Sequence, residues 1–205
     1  MSRRSAATPS ARVIAFDVLR SVLDKRQPLE LALDGADASG LSSRDRAFMR
    51  LLVATTLRQL GRIDGVIDIC LERRLPRRGQ AVRTLLRMGI CQLLFLETSP
   101  HAAVDTTVEL VAARGGEAGY KGLINAVLRR VDRERVSMLD DVGTPSINTP
   151  AWLWDSWVAG YGAEGAEAIA AAHLREPPLD LTVKSDPAAW RDRLGATLLP
   201  TGSLR

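Results

Sequence analysis

Arginine is the residue type in this sequence that is best suited to binding a ligand. The 205 residues include 28 Lys and Arg, and only three of these, Lys25, Lys121 and Lys184, are lysine. A guanidinium group is planar, and its five donors match the oxygens of phosphate groups. Many of the arginines occur as adjacent pairs: Arg3 and Arg4, Arg73 and Arg74, Arg77 and Arg78, and Arg129 and Arg130. This pattern favours a polyanionic partner, although a general Arg-rich composition would explain the Arg:Lys ratio equally well.

The positive charge is concentrated in the first two thirds of the chain. Residues 1–137 contain 23 Lys and Arg against 15 Asp and Glu, a balance of +8, whereas residues 138–205 contain 5 against 9, a balance of −4. A basic region gains affinity for a polyanion because each neutralised phosphate releases condensed counterions. The polyanion is therefore expected to bind the first part of the chain.

The cysteines and histidines do not form a catalytic or metal-binding pattern. Cys70 and Cys91 each lie in an apolar helical pattern, where we expect a buried, inert thiol. His101 and His173 are far apart in sequence and have no cluster of further ligands around them. We therefore predict no catalytic, cofactor-binding or metal-binding residue in this chain.

The composition indicates a globular protein of the cytoplasm. Apolar residues make up 46% of the chain, which is enough to build a core. No apolar run reaches the roughly 18 to 20 residues needed to cross a bilayer, and the start, MSRRSAATPS, lacks the apolar segment of a signal peptide.

Helical periodicity dominates the chain up to residue 137. Apolar residues recur at helical spacing, and no alternating strand pattern interrupts them. Three helix starts carry capping signals: Ser10, Ser42 with Asp45 three residues later, and Ser99 before Pro100. We predict an all-α bundle of about seven helices.

The composition changes at DDVGTPSINTPAW, residues 140–152, which has the Gly, Pro, Ser, Thr and Asn content of a linker. WLWDSWVAGYG and an alanine-rich helix follow, and PPLDLTVKSD then alternates Leu179, Leu181 and Val183 in a strand pattern. We therefore divide the chain into a helical domain (1–139), a linker with a small helical region (140–176) and the incomplete start of an α/β domain (177–205).

Three segments together resemble a known family: RDRAFMRLLVATTLRQLGRID, LLRMGICQLLFLETSPHAAVDTTVELV and KGLINAVLRRVDRE. In this order and spacing they resemble the NusB-like domain that opens bacterial 16S rRNA cytosine-C5 methyltransferases of the Sun (RsmB) family. The resemblance covers roughly residues 10–137. It continues through TPAWLWDSWVAGYG and PPLDLTVKSD, where the family enters its methyltransferase region.

The resemblance implies an RNA-binding domain that positions 16S rRNA for a methyltransferase domain in cis, with S-adenosylmethionine as the family's cofactor. The family's cofactor loop and its Pro-Cys and Thr-Cys nucleophile motifs have no counterpart in these residues, so we expect no methyl transfer by this chain alone. The residues predicted to contact RNA are Arg3, Arg4, Arg12, Arg73, Arg74, Arg77, Arg78, Lys121, Arg129 and Arg130.

Two other functions fit the same domain. One is a NusB-like factor of transcription antitermination or RNA processing that acts with a ribosomal protein. The other is a purely structural helical module. Residues 150–190 distinguish the enzyme from a NusB-like factor, because that continuation has no purpose in free NusB.

Asn125 is an unusual residue in KGLINAVLRR. Ile124, Val127, Leu128 and Val131 form the apolar face of this helix, and Lys121, Asn125 and Arg129 form the row beside it. Asparagine is a mediocre helix former, so propensity does not explain its place. We expect a partly buried amide that hydrogen-bonds a neighbouring loop or helix end, in preference to a direct RNA contact.

Overall fold

The computed structural model describes residues 10–76, 79–96, 98–113 and 118–205. Seven helices, as predicted, lie before residue 134, and three more follow in the described part of the chain. They are α1 (Ala11–Leu23), α2 (Leu29–Asp34), α3 (Ser43–Arg58), α4 (Leu60–Cys70), α5 (Gln80–Leu94), α6 (Pro100–Ala113), α7 (Lys121–Arg133), α8 (Arg135–Val142), α9 (Ala151–His173) and α10 (Pro187–Leu194).

Helix α5 is the centre of the bundle, because α1, α3, α4, α6 and α7 all pack against it. Most of its residues are buried, and Val82, Leu85, Leu86 and Ile90 are fully buried. A helix that buries most of its surface must be surrounded by other helices. At Gly89 the backbone of α5 approaches the side chain of Leu128 on α7 so closely that a Cβ would lie 2.7 Å from it.

The predicted helix starts are confirmed in atomic detail. Ser10 Oγ accepts a hydrogen bond from Val13 N at 3.4 Å, and α6 begins at Pro100. Ser42 Oγ accepts from Asp45 N at 3.1 Å and donates to the Asp45 carboxylate at 2.7 Å. These contacts satisfy backbone N–H groups that would otherwise have no partner in the first turn.

The segment that we predicted to be a linker lies against α4. Helix α8 extends across residue 139, the predicted end of the helical domain, and its Met138 is buried. Asn148 Oδ1 then accepts hydrogen bonds from Gly61 N at 2.8 Å and Arg62 N at 3.2 Å, which are unpaired donors at the start of α4. These bonds give the segment a defined position on the bundle.

Helix α9 is interrupted at Gly162, whose φ of 73° is outside the helical region. The break separates the tryptophan-rich half from the alanine-rich half. Trp152 is 72% exposed, and Trp154 and Trp157 are half-buried. Trp152 therefore contributes little to packing in this structure.

The strand expected at PPLDLTVKSD is wrong. Besides α10, residues 177–205 contain only the isolated antiparallel bridges Leu181 with Leu204 and Leu198 with Leu204. Leu181 exchanges two 2.8 Å backbone hydrogen bonds with Leu204, which is fully buried, whereas Leu179 is 74% exposed. Alternation alone does not make a strand when only one neighbouring segment supplies backbone partners. In the described residues, moreover, no helix has the length and apolar character required to span a membrane.

Candidate nucleic-acid interface

An ionic network joins α4 and α5 at the N-terminal end of α5. Arg83 Nε and Arg87 Nε donate to Asp64 Oδ1 at 3.0 and 2.8 Å, and Arg87 Nη2 donates to Asp64 Oδ2 at 2.7 Å. Arg83 also contacts Asp68 at 3.0 Å. Each helix supplies two charged residues spaced four apart, so both pairs lie on facing sides of their helices.

The network raises the pKa of Arg83. Burial by itself lowers the pKa of Arg83, but its hydrogen bonds and charge interactions with Asp68 and Asp64 outweigh burial and raise that pKa above the ordinary value. Arg87 is 9% exposed. A buried guanidinium group needs such partners, since an unpaired charge in the interior is costly.

A cavity of about 330 Å³ opens beside the network. It is lined by Asp68, Arg74, Leu75, Gly79, Gln80, Arg83 and Arg87. Three arginines meet at this cavity, and the loop that carries Arg73 and Arg74 forms one wall. Cationic side chains around a concave surface can bind the phosphates of a nucleic acid.

Arg73 and Arg74 are exposed, as expected for phosphate contacts. Arg130 lies close to the start of their loop, because its Nη1 donates to the carbonyl of Ile69 at 3.3 Å. Its Nε donates to Glu134 at 3.0 Å, and this carboxylate raises the pKa of Arg130. Arg130 therefore both caps α4 and contributes charge next to the Arg73–Arg74 loop.

Arg12 has mainly structural partners. Its Nε donates to Gln92 Oε1 at 2.7 Å, and its guanidinium lies 4.7 Å from the centre of the Phe48 ring. Burial lowers the pKa of Arg12, and the nearby charge of Asp45 offsets part of this effect. Gln92 is five residues beyond Arg87, the nearest residue of α5 that lines the arginine cavity, so the two residues are about 7.5 Å apart along the helix axis and about 140° apart around it. Arg12 therefore meets α5 on a different side from the cavity.

Four of the predicted RNA-binding residues, Arg3, Arg4, Arg77 and Arg78, lie outside the described residues. On α7, Lys121 and Arg129 are exposed, as expected for contacts with a partner. Their row extends for about 12 Å along the helix.

The prediction that the Asn125 amide is partly buried is wrong. Asn125 is exposed, and its side chain makes no hydrogen bond to a described residue. Its helix is turned so that Ile124, Val127, Leu128 and Val131 fill the core, and Asn125 stays on the outer side between Lys121 and Arg129. The residue therefore belongs to an exposed polar row.

We expect Asn125→Leu to change the free energy of unfolding by less than about 0.5 kcal/mol, because surface substitutions away from special contacts have small effects. Urea unfolding measures this change. Leu128→Ala, on the buried side of the same helix, is the contrasting variant and should cost about 2 to 5 kcal/mol. A loss of more than about 1 kcal/mol in Asn125→Leu would show that the amide has a structural partner after all.

Arg83 and Arg87 were not among the residues predicted from the sequence to contact RNA. Their spacing of four, opposite Asp64 and Asp68 at the same spacing, is the signal that could have revealed them. The predicted set also lacked the arginines of α3, which are Arg44, Arg46, Arg50 and Arg58.

The two thiols are not activated. Burial raises the pKa of the Cys91 thiol to about 12, and burial also raises the pKa of Cys70, which is half-buried. A nucleophilic cysteine requires a lowered pKa. Within the described ranges, no group of three or more His, Cys, Asp or Glu could hold a metal ion.

Comparison with known proteins identifies both the domain and its continuation. The NusB family matches residues 9–133. Similar proteins include the ribosomal RNA small subunit methyltransferases B of Xanthomonas campestris pv. campestris (34% identical, 93% of this chain and 43% of the relative), Sodalis glossinidius (34%, 84% and 40%) and Yersinia enterocolitica (32%, 86% and 41%).

The chain spans about two fifths of the length of these relatives. An alignment over 93% of the chain necessarily continues beyond residue 133 into the segment that lies on α4 and into α9. Because the family match covers more than half of the sequence and the bundle is helical throughout that range, the chain belongs to the NusB family.

Proposed function

We propose that this chain is the RNA-binding, substrate-positioning part of an S-adenosylmethionine-dependent 16S rRNA cytosine-C5 methyltransferase. The observation that carries the proposal is that its similarity to ribosomal RNA small subunit methyltransferases B extends past the NusB domain to 93% of the chain. A free-standing NusB-like factor would not need this continuation.

The arrangement of charge supports RNA as the partner. Arg74, Arg83 and Arg87 surround one cavity, Arg73 is exposed in the same loop, and Arg130 lies at the start of that loop. Contacts of this kind hold a nucleic acid by its phosphates and set its position without reading its sequence. Such a surface suits a domain that presents RNA to a separate catalytic part.

S-adenosylmethionine would supply the methyl group in the full reaction, but the described residues do not fit this cofactor. Doubly wound methyltransferase-like folds bind a nucleotide cofactor at the carboxyl ends of parallel strands. The part of the chain that the structure describes has only two isolated bridges and no sheet. We therefore assign no step of methyl transfer to these residues and limit their role to RNA binding and positioning.

We expect the chain to bind fragments of 16S rRNA with an affinity that falls steeply between about 50 and 200 mM salt. Fluorescence anisotropy of labelled RNA measures the slope of log affinity against log salt. Replacing both Arg73 and Arg74 by alanine should reduce this slope by about one unit for each lost phosphate contact.

The matched control replaces Arg20 and Arg193 by alanine. It also removes two positive charges, but these residues line none of the cavities described. This control should leave the slope within experimental error. An absence of RNA binding at the lowest salt would contradict the proposal.

A further inference from the structure

A second basic site lies at the N-terminal end of α4, whereas the proposed Arg73–Arg74 contact loop follows its C-terminal end. Two neighbouring cavities, of about 540 and 200 Å³, share Arg58 and His173 in their linings. We call them together the α3–α9 groove, because Arg58 is the last residue of α3 and His173 is the last residue of α9.

We infer that the α3–α9 groove binds a segment of single-stranded RNA, with Arg58 and Arg175 on its phosphates. This inference rests on the proposed function and adds a second RNA contact that lies partly outside the NusB match, which ends at residue 133.

The groove holds cations without partners. Arg58 and Arg175 both line the larger cavity, and neither forms an ion pair with any carboxylate that the structure describes. Glu176 is the one acidic residue in that lining, and it too is unpaired within the described part of the chain. Two like charges in one concavity repel each other, and an anion between them removes this repulsion.

The smaller cavity offers surfaces that suit a base. Trp157 and His173 pack edge to face, with their ring centres 5.2 Å apart, and His173 is exposed. Aromatic side chains beside a basic groove are typical of proteins that bind single strands, since unpaired bases can stack on them. A duplex would not present its bases in this way.

An unsatisfied buried donor also lies at the smaller cavity. Asn148 lines it, and the hydrogen bonds from Gly61 N and Arg62 N fix its Oδ1 toward α4. Its Nδ2 is buried and has no hydrogen-bond partner among the described residues. A buried donor without an acceptor is costly, so an acceptor on a ligand that enters the cavity would be bound favourably.

The outer face of α3 leads to the groove. Arg44 and Arg50 are exposed, and with Arg58 they fall within a sector of about 120° on the helix, opposite its buried residues. Arg44 and Arg58 are separated by about 21 Å along the axis. A strand that enters the groove can therefore continue along α3 with further phosphate contacts.

The test uses the double variant Arg58→Ala and Arg175→Ala in the full chain, with single-stranded RNA of the 16S sequence as the probe. We expect binding to weaken on the order of tenfold, and the salt slope to fall by about 1.4 units, as two single-strand phosphate contacts would require. Arg58→Lys with Arg175→Lys should restore the slope, because it restores both charges.

The matched control, Arg20→Ala with Arg193→Ala, also removes two charges, and we expect it to weaken binding by less than about twofold. Thermal unfolding of each variant shows that the comparison concerns folded protein. Equal weakening by the two alanine pairs overturns the groove assignment, and so does a lysine pair that behaves like the alanine pair. In those cases RNA binding by the native chain, and with it the proposed function, still stands. If the native chain fails to bind RNA at low salt, the proposed function itself fails.

Discussion

Replacing Asp64 by alanine is expected to lower the free energy of unfolding by about 3 kcal/mol, because it removes the carboxylate that two guanidinium groups share. Arg87 donates to both oxygens of Asp64, and only 11% of the Arg87 side chain is exposed. Without Asp64 the charge of Arg87 would remain buried with no partner. Arg83 would keep its contact with Asp68.

The control for this experiment is Asp68→Ala on the same helix. The Asp68 side chain is 59% exposed, and among the described residues its carboxylate pairs with Arg83 alone, so its loss should cost less than about 1 kcal/mol. Urea unfolding followed by circular dichroism measures both variants. If the two losses are equal, the network does not depend on the buried pair of Asp64 and Arg87.

Replacing Gly61 by alanine is expected to destabilise the chain by about 2 kcal/mol through steric overlap. A Cβ at Gly61 would overlap the carbonyl of Ile147 and would lie 2.7 Å from its carbon and 3.0 Å from Asn148 N. These atoms belong to the backbone, so rotation of a side chain cannot relieve the overlap. The segment around Asn148 must move away from α4, which breaks the two hydrogen bonds that Asn148 accepts.

Gly122→Ala is the matched control, because a Cβ at Gly122 meets nothing within 4 Å. It should be neutral or slightly stabilising, since alanine favours a helix over glycine by up to about 1 kcal/mol. Urea unfolding measures the free energy of unfolding of the two variants. Tryptophan emission reports any displacement of the segment around Asn148 from α4, because Trp157 and Asn148 line the same cavity. An unchanged spectrum and stability in Gly61→Ala would mean that the segment does not lie on α4 as described.

Helix α4 contains both Asp64 and Gly61, the residues that these two predictions concern. One of its sides holds the Asp64 network beside the Arg74 cavity, and its first turn holds Asn148 and the segment that leads to α9. The Arg73–Arg74 loop follows the C-terminal end of α4 and the α3–α9 groove lies at its N-terminal end, so this helix spaces the two proposed RNA contacts. Two contacts spaced along one helix also define the direction of a bound strand.

The helices could be predicted from the sequence because their signals are local. Helical periodicity and the caps at Ser10, Ser42 and Ser99–Pro100 involve residues a few positions apart, and the structure confirms each start. The positions of Lys121 and Arg129 on the outer side of α7 followed from the same periodicity. The strand predicted in PPLDLTVKSD, residues 177–186, is absent because a strand depends on distant partners, and in the described residues only Leu204 pairs with Leu181.

The sequence by itself determined the all-α class of the first 137 residues, the concentration of positive charge in them and the inert character of Cys91. Only the tertiary structure decided which arginines share a cavity, since Arg74, Arg83 and Arg87 meet across a loop, while Arg58 and Arg175 are 117 positions apart and meet through the return of α9. It also decided that Arg12 is tied to Gln92 and that Asn125 is exposed. The reason is physical: periodicity specifies which side of a helix is buried, whereas helix packing specifies which side chains meet.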